Sequence, residues 1–276
     1  MSAATIELTA VSRRFGSRHH GHLAVDTANL ALDGTTSLGV VGESGSGKST
    51  LSRMIVGLDE PTEGTVTYNG QDLRSVLSTR AGTKAFRANV QFVGQDTTST
   101  FDPRRTLIDS LTFPAQKLQG LDKAAAVSAA ETTLGEVGLD VALAGRKPHQ
   151  VSGGQRQRFA LARSLIVRPS ILVCDEVVSA LDVSVQGTIL NLLKRYCEDH
   201  QAGLVFVSHG LPATAFVADE LLVMYRGQLV ERGPSDRVLE APQHAYTQQL
   251  LEAHRGLGEG AEIDSAESSY QEGKSA

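Results

Sequence analysis

The run Gly39-Val40-Val41-Gly42-Glu43-Ser44-Gly45-Ser46-Gly47-Lys48-Ser49-Thr50 joins an apolar segment to a glycine-rich loop. Within residues 42–49 a glycine is followed by four further residues and then by Gly-Lys-Ser, the spacing of a phosphate-binding loop. Glycines let consecutive backbone N–H groups face phosphate oxygens, and the helix that follows adds the positive end of its dipole. The pattern predicts that Lys48 reaches the β- and γ-phosphates of a nucleotide and that the Ser49 hydroxyl ligates Mg²⁺.

Two adjacent acids end a second apolar run, Ile171-Leu172-Val173-Cys174-Asp175-Glu176. A buried strand that ends in a carboxylate is how nucleotide-binding folds place an acid near Mg²⁺, and Asp175 is the candidate. Glu176 is suited to act as the general base that polarises an attacking water. A phosphate loop alone is compatible with kinases, GTPases and ATPases. The acid pair reduces the number of these enzyme classes that fit the sequence.

A second anion site is predicted at Val151-Ser152-Gly153-Gly154-Gln155. Ser152 caps the helix that follows, and the two glycines expose the N-terminal amides of that helix. One nucleotide needs only one phosphate cradle. We therefore expect the second site to bind the γ-phosphate of a nucleotide that is held by another copy of the chain or by a partner.

These three motifs resemble those of the ATP-binding cassette (ABC) ATPases, and the resemblance extends from about residue 5 to residue 253. It implies ATP as the nucleotide, Mg²⁺ as its metal ion and a head-to-tail pair of subunits. Four further residues match family positions. By this resemblance Phe15 stacks on adenine and Gln95 senses Mg²⁺ and contacts membrane subunits. Likewise, Asp182 lies in the D-loop at the dimer interface, and His209 is the switch histidine near the γ-phosphate.

The resemblance thus assigns four groups of site residues. The catalytic group is Glu176, His209, Gln95 and Lys48. The Mg²⁺ ligands are Ser49, Gln95 and Asp175. The group that faces the ATP of the partner is Ser152, Gly153, Gly154 and Gln155. The ATP-binding group is Phe15, Gly42, Glu43, Ser44, Gly45, Ser46, Gly47, Lys48, Ser49 and Thr50.

A narrower resemblance, to the oligopeptide, dipeptide and nickel importers, rests on Phe101-Asp102-Pro103-Arg104, residues 179–186 and Pro242-Gln243-His244-Ala245-Tyr246-Thr247. It implies an ATPase that drives uptake of peptides, or of nickel and metal chelates, delivered by an extracytoplasmic solute-binding protein. The implied partners are two transmembrane permease subunits and a second ABC ATPase subunit, for which a paralogue is favoured over an identical copy. Some relatives carry cysteines for an iron–sulfur centre, but no cysteine follows Cys197, so we expect no cluster.

Composition and charge argue against other classes of protein. The 276-residue chain has a net charge of −5, 5% aromatic residues and no tryptophan, which disfavours a nucleic-acid binder. Residues 256–276 contain five acids, one lysine and few large apolar groups, and they are predicted to form a disordered acidic tail. The sequence shows no secretory signal and no membrane-spanning stretch. We therefore expect a peripheral protein at the cytoplasmic face of the membrane.

Short apolar runs alternate with helical patterns, which predicts an α/β fold with a largely parallel sheet. Strands are expected at 37–41, 90–93, 171–174, 204–207 and 221–224. Helices are expected at 48–57, 122–137, 155–167 and 185–200. The polar–apolar alternation of residues 5–32 predicts an N-terminal antiparallel β subdomain, and the stretch of about 97–165 predicts a helical subdomain inserted into the phosphate-loop core. The nucleotide-binding domain would comprise residues 1–255 and end in a helix at about 235–255.

Two other functions stay open at this point. An ABC ATPase without transport, acting in translation or DNA repair, usually has two cassettes, long coiled-coil insertions or zinc cysteines, none of which is found in this sequence. A weakly catalytic regulatory subunit is disfavoured because Glu176, Gln95 and His209 are all present. Val177 stands where the family usually has proline and Gly210 where it commonly has aspartate, which predicts slower or more partner-dependent turnover.

Overall fold

The computed structural model describes residues 4–16, 21–95, 100–179 and 183–253. Its strands are β1 Ile6–Phe15, β2 His22–Leu32, β3 Ser37–Val41, β4 Glu63–Tyr68, β5 Gln71–Asp72, β6 Val90–Val93, β7 Ile171–Asp175, β8 Gly203–Val207, β9 Glu220–Tyr225 and β10 Gln228–Pro234. Its α-helices are α1 Lys48–Ile55, α2 Leu73–Leu77, α3 Arg80–Asn89, α4 Leu107–Pro114, α5 Lys123–Glu136, α6 Gly153–Leu165, α7 Val183–His200, α8 Leu211–Val217, α9 Ser235–Glu240 and α10 at 245–253. A π-helical turn spans Ala115–Gln119, and 3₁₀ turns span Val141–Gly145 and Pro148–Gln150.

The larger sheet has the strand order β10-β9-β3-β8-β7-β6. Its strands run parallel from β9 to β6, and β10 pairs with β9 as an antiparallel edge strand. Strands β7 and β8 are buried along their whole length, as expected for a parallel sheet that is covered on both faces. The predicted α/β fold with a largely parallel sheet is confirmed.

The register of the three central strands aligns their carboxyl ends. Val40 of β3 pairs with Val207 of β8, and Val207 pairs in turn with Asp175 of β7. In open α/β sheets, ligands bind beyond the carboxyl ends of the strands. The loop after β3, the acids at the end of β7 and the segment after β8 therefore meet at one edge of the sheet.

The smaller sheet is antiparallel, with the order β2-β1-β4-β5. Helix α1 lies between the two sheets, because its side chains Leu51, Met54 and Ile55 are fully buried in a core shared with β1, β4 and β7. The N-terminal antiparallel β subdomain is confirmed. The helix that follows the phosphate loop is thereby held on both sides by sheet.

Residues 100–165 contain helices and turns and no strand. Leu107, Leu134 and Phe159, from α4, α5 and α6, are fully buried in one apolar cluster. The same cluster includes Leu172 of β7, so this helical segment packs directly on the strand that ends in the acid pair. Its bounds as a subdomain stay a prediction.

The predicted single helix at about 235–255 is wrong. Helix α9 ends at Glu240, and α10 begins only at residue 245. Pro242 explains the break: proline disfavours helical geometry in the residue before it, and Ala241 has φ −137° and ψ 60°. The predicted acidic tail, residues 256–276, lies outside the described residues.

Candidate active site

The glycine-rich loop turns between the end of β3 and the start of α1. Gly42 has φ +150° and Gly47 has φ +107°, values that other residues rarely adopt. A β-carbon at Gly42 would clash with the Met224 carbonyl oxygen, and one at Gly47 would clash with the Ala24 carbonyl oxygen. Backbone packing from β9 and β2 therefore requires glycine at both positions.

Lys48 folds back over this loop. Its side chain is 4% exposed, and its Nζ donates hydrogen bonds to the carbonyls of Gly42 at 2.7 Å and Glu43 at 2.8 Å. Burial lowers the pKa of the Lys48 amine, although the carboxylates of Glu176 and Asp175 oppose that shift. An ammonium group has three N–H donors, so a third remains to contact an anionic ligand.

A carboxylate and two hydroxyls form the second part of the site. Ser49 Oγ donates to Asp175 Oδ1 at 3.2 Å, and the single Ser52 hydroxyl hydrogen is shared between Asp175 Oδ2 at 3.2 Å and the Ser49 carbonyl oxygen at 3.0 Å. Burial raises the pKa of the Asp175 carboxyl, and the two hydrogen bonds that it accepts oppose the shift. Ser52 belongs to none of the motifs found in the sequence. Its spacing of three residues from Ser49 on one helix was the feature that could have indicated a shared contact.

Glu176 and His209 approach each other beyond the strand ends. Glu176 Oε1 lies 3.8 Å from His209 Nδ1, which makes an ion pair only when the imidazole is protonated. Glu176 has φ +52°, an unusual value for glutamate, and its backbone N–H donates to the Val207 carbonyl at 2.8 Å. Backbone strain of this kind is typical of functional sites.

A cavity of about 370 Å³ brings many of the predicted residues together. Its lining comprises Phe15, His22, Ala24, Ser44, Gly45, Gly47, Lys48, Ser49, Thr50, Gln95 and Glu176. Phe15 is 42% exposed at the cavity rim, and the Arg13 guanidinium carbon lies 4.8 Å from the centre of its ring, so a planar ligand would stack on the other face. His22 and Ala24 were missed because they belong to β2, which contains none of the motifs found in the sequence.

The Ser-Gly-Gly-Gln segment lies outside that cavity lining. Ser152 Oγ accepts from the Gln155 N–H at 3.2 Å, while Gln155 Oε1 accepts from the Ser152 N–H at 3.0 Å, a capping box at the start of α6. Ser152 and Gly153 are exposed, so their surface is open to another molecule. Asp182, predicted for the dimer interface, lies outside the described residues.

The two departures from the family pattern have different surroundings. The Val177 side chain is 2% exposed and packs in the apolar core beside β7. Gly210 has φ −86°, which any residue can adopt, and a β-carbon there would have no neighbour closer than 3.7 Å. Gly210 is thus a position where a side chain is tolerated rather than one where glycine is required. Their effect on turnover stays a prediction.

The family model described as "ABC transporter" matches residues 25–179, which include the glycine-rich loop, the capped helix α6 and the acid pair. This chain belongs to the ABC transporter family. It is an ABC ATPase, and the family binds ATP. The oligopeptide transport ATP-binding protein AppF of Bacillus subtilis is 40% identical over 83% of this chain and 69% of its own length.

Further similarities agree with this membership. The di/tripeptide transport ATP-binding protein DppF of Pseudomonas aeruginosa is 38% identical over 88% of this chain and 75% of its own length. The glutathione import ATP-binding protein GsiA of Escherichia coli is 41% identical, although the match covers only 37% of that protein. Among solved structures, the dimeric cassette MJ0796 bound to ADP and phosphate has a TM-score of 0.76 and 28% identity, covering 83% of this chain and 98% of MJ0796.

Proposed function

We propose that this ABC ATPase powers an importer for peptides. The observation that carries the proposal is the convergence of Lys48, the Ser49–Asp175 hydrogen bond and Glu176 at one sheet edge. The relatives named above carry peptide or glutathione transport in their names, which favours peptides over nickel or metal chelates.

ATP would enter the cavity with its adenine on the exposed ring of Phe15 and its phosphates in the loop of residues 42–50. The loop amides and the N-terminus of α1 present positive charge to the phosphates. Lys48 contributes its remaining N–H donor to the β- and γ-phosphate oxygens. Burial of the amine strengthens this contact because little water competes for it.

The residues present fit Mg²⁺. Ser49 and Asp175 supply hydroxyl and carboxylate oxygens, the donors that Mg²⁺ prefers, and Gln95 adds an amide oxygen at the cavity wall. When bound, Mg²⁺ neutralises charge on the phosphate oxygens. Ser52 holds the second carboxylate oxygen of Asp175 and so orients the first toward Ser49.

Glu176 would act on the water that attacks the γ-phosphorus. Its carboxylate accepts a proton from the water as the new P–O bond forms, while the bond to the β-phosphate oxygen breaks, giving ADP and inorganic phosphate. His209 stabilises the charge that develops on the γ-phosphate oxygens. The separation of 3.8 Å between Glu176 and His209 leaves both side chains able to reorient toward substrate.

A second ATPase subunit would complete the site. Ser152 and Gly153 are exposed, Gly154 and Gln155 are half-buried, and all four lie outside the cavity that holds Lys48, which supports a role in contacting the ATP of another subunit. The similar cassette MJ0796, bound to ADP and phosphate, is dimeric, which supports a paired arrangement. The proposed pairing is head to tail, with a paralogue favoured over an identical copy, and Asp182 at the interface.

We expect Ser52→Ala to weaken Mg²⁺-dependent ATPase activity. Loss of the hydroxyl frees one oxygen of the buried Asp175 carboxylate, and removal of such a supporting contact typically costs about tenfold in metal affinity or activity. The measurement is a Mg²⁺ titration of ATP hydrolysis by the full chain. Ser235→Ala, which removes another buried serine hydroxyl far from the site, is the control. An unchanged Mg²⁺ dependence would contradict the role of Ser52.

The proposed partners lie in and across the membrane: two permease subunits and, through them, an extracytoplasmic solute-binding protein. None of the helices in the described part of the chain has the length and apolarity of a bilayer-spanning segment. In the proposed complex the chain binds the cytoplasmic face of the permease as a peripheral subunit, as for the ATP-binding subunits of the family. No nucleic-acid partner is proposed.

An exposed surface on α4 suits a permease segment. Phe113 of α4 is 46% exposed, and Arg105 and Lys117 lie 5.7 and 5.9 Å from the centre of its ring. A cavity of about 410 Å³ adjoins it, lined in part by Asp102 and Arg163. An apolar centre with cationic neighbours is expected to bind a helix with an apolar residue next to an acid.

We expect Phe113→Asp to reduce recovery of permease subunits at least about tenfold, because an aromatic anchor at an interface contributes roughly 2 kcal/mol or more. ATP binding by the isolated chain should not change. Phe216→Asp is the matched control, since Phe216 is equally exposed and also lies beside a cation, Lys194. Equal recovery with both variants would exclude this surface as the docking site.

The function as a whole is tested by affinity capture and uptake. A tagged chain should retrieve two polytopic membrane proteins and a second ABC ATPase from solubilised membranes, and deletion of its gene should abolish uptake of a labelled dipeptide. Capture of ribosomal or DNA-repair proteins instead would favour the non-transport alternative. ATPase activity that remains negligible in the complete complex would favour a regulatory subunit.

A further inference from the structure

The phosphate loop is held from outside by the C-terminal part of the chain. The backbone N–H of Glu43 donates a hydrogen bond of 2.9 Å to the Tyr246 hydroxyl, across 203 residues of sequence. We propose that Tyr246 is a positioning residue for ATP binding, which fixes the Glu43 peptide and thereby the phosphate loop. This proposal rests on the proposed nucleotide site and assigns it a residue that belongs to no nucleotide-binding motif.

The Glu43 peptide connects Tyr246 to the phosphate-binding lysine. While its N–H donates to Tyr246, its carbonyl oxygen accepts from Lys48 Nζ at 2.8 Å and from the Ser46 N–H at 3.2 Å. An N–H that donates to Tyr246 faces away from the phosphates, so this bond helps to select which loop amides face the nucleotide. A shift of Glu43 would also move a carbonyl that orients the Lys48 ammonium.

Tyr246 is itself fixed by packing. Its side chain is 5% exposed, and its ring stacks on that of Tyr225 with a centroid distance of 4.1 Å and an interplanar angle of 27°. Tyr225 ends β9, directly after Met224, whose carbonyl oxygen packs against Gly42. Strand β9 thus supports both the first glycine of the loop and the aromatic ring that holds the next residue.

The segment before α10 is anchored by a carboxylate on β10. Glu231 accepts hydrogen bonds from the backbone N–H groups of Gln243 at 2.8 Å and His244 at 3.0 Å. His244 Nδ1 accepts in turn from the N–H of Tyr246 at 3.2 Å. Acceptors at these N–H groups fix the direction in which α10 begins and therefore the position of the Tyr246 ring.

The loop needs such a support because it is rich in glycine. Gly42, Gly45 and Gly47 all have positive φ, and glycine has more backbone freedom to lose on ordering than any other residue. A loop that is already fixed before ATP arrives loses less conformational freedom on binding, which strengthens affinity. Without the hydroxyl, part of that ordering would be required at the moment of binding.

The test compares Tyr246→Phe with Tyr225→Phe in the full chain. Both retain the stacked rings, but only the first removes the acceptor of the Glu43 N–H; the Tyr225 hydroxyl makes no hydrogen bond within the described residues. We expect Tyr246→Phe to raise the dissociation constant of Mg²⁺-ADP about fivefold by calorimetry, as for loss of one hydrogen bond. KM for ATP should rise in parallel while kcat stays within about twofold.

A second variant tests the anchor. Glu231→Gln should raise the same dissociation constant by a smaller factor, and the double variant Glu231→Gln, Tyr246→Phe should be no weaker than Tyr246→Phe alone, because both changes act through one bond. Thermal unfolding of each variant checks that the protein folds. If Tyr246→Phe lowers the unfolding temperature so far that binding cannot be measured, the dissociation constant of the Glu231→Gln variant alone tests the proposal. An unchanged value would then overturn it.

The possible results separate this inference from the proposed function. Loss of ADP binding in Lys48→Ala, with wild-type affinity in Tyr246→Phe, would overturn the role of Tyr246 and leave the nucleotide site intact. Equal weakening by Tyr225→Phe would also overturn it, since packing rather than the hydroxyl would then be responsible. If the wild-type chain bound no ADP at all, the proposed function itself would fail.

Discussion

Glu176→Gln is expected to lower the rate of ATP hydrolysis by a factor of about 10² to 10⁴, the usual contribution of a general base. The amide has nearly the shape of the carboxylate but cannot take the proton of the attacking water. Lys48, Ser49 and Asp175 keep their contacts, so ATP should still bind with near wild-type affinity. An ATP-bound state that cannot turn over should accumulate as a dimer, because in the proposed arrangement the nucleotide would bridge the two subunits.

Three measurements check this result: phosphate release at saturating ATP, the dissociation constant of ATP, and the mass of the ATP-bound species by light scattering. Glu131→Gln, a change of the same kind on the exposed face of α5, is the control for altered charge and should hydrolyse ATP normally. Undiminished hydrolysis in Glu176→Gln would refute the base assignment. Loss of both binding and hydrolysis would show that Glu176 instead supports the fold of the site.

Lys48→Ala is expected to weaken ATP binding by roughly ten- to a hundredfold, because it removes a charged hydrogen bond to the phosphates worth roughly 1.5–3 kcal/mol. Hydrolysis should fall below detection for the same reason. The Lys48 ammonium is buried, and its removal also eliminates the cost of burying a charge. We therefore expect the unfolding temperature of the nucleotide-free protein to change by only a few degrees.

The combination of lost binding and retained stability is what identifies Lys48 as a ligand contact. Calorimetry with ATP and thermal unfolding without nucleotide measure the two properties separately. Lys123→Ala at the start of α5, an exposed lysine outside the site, should leave both unchanged. A large drop in unfolding temperature in Lys48→Ala would instead assign the lysine mainly to holding the loop carbonyls of Gly42 and Glu43.

Patterns of neighbouring residues predicted the structure correctly where the functional residues are adjacent in the chain. The glycine spacing of residues 42–49 predicted a turn between β3 and α1, and the apolar run before Asp175 predicted the buried strand β7. These predictions succeeded because strand burial and loop geometry depend mainly on neighbouring residues. The single helix predicted at about 235–255 is interrupted for a local reason too, because Pro242 disfavours helical geometry at Ala241.

Contacts between segments that are distant in the sequence could be identified only from the tertiary structure. Ser52 reaches Asp175 across 123 residues, and Tyr246 reaches Glu43 across 203. For Ser52 the sequence offered only the spacing of three residues from Ser49, and for the pair of Tyr246 and Glu43 it offered no spacing or composition that predicts the contact. His22 and Ala24 line the cavity only because β2 is carried alongside the phosphate loop by the antiparallel sheet.

The sequence by itself determined the family, the α/β fold and the residue types of the nucleotide site, because each motif is a short run whose chemistry depends on its own backbone. The tertiary structure decided which of these runs meet. The parallel register places Val40, Val207 and Asp175 side by side, while the capped start of α6 stays outside the cavity. Register and helix packing arise from burial of the whole apolar core, which no single stretch of sequence contains.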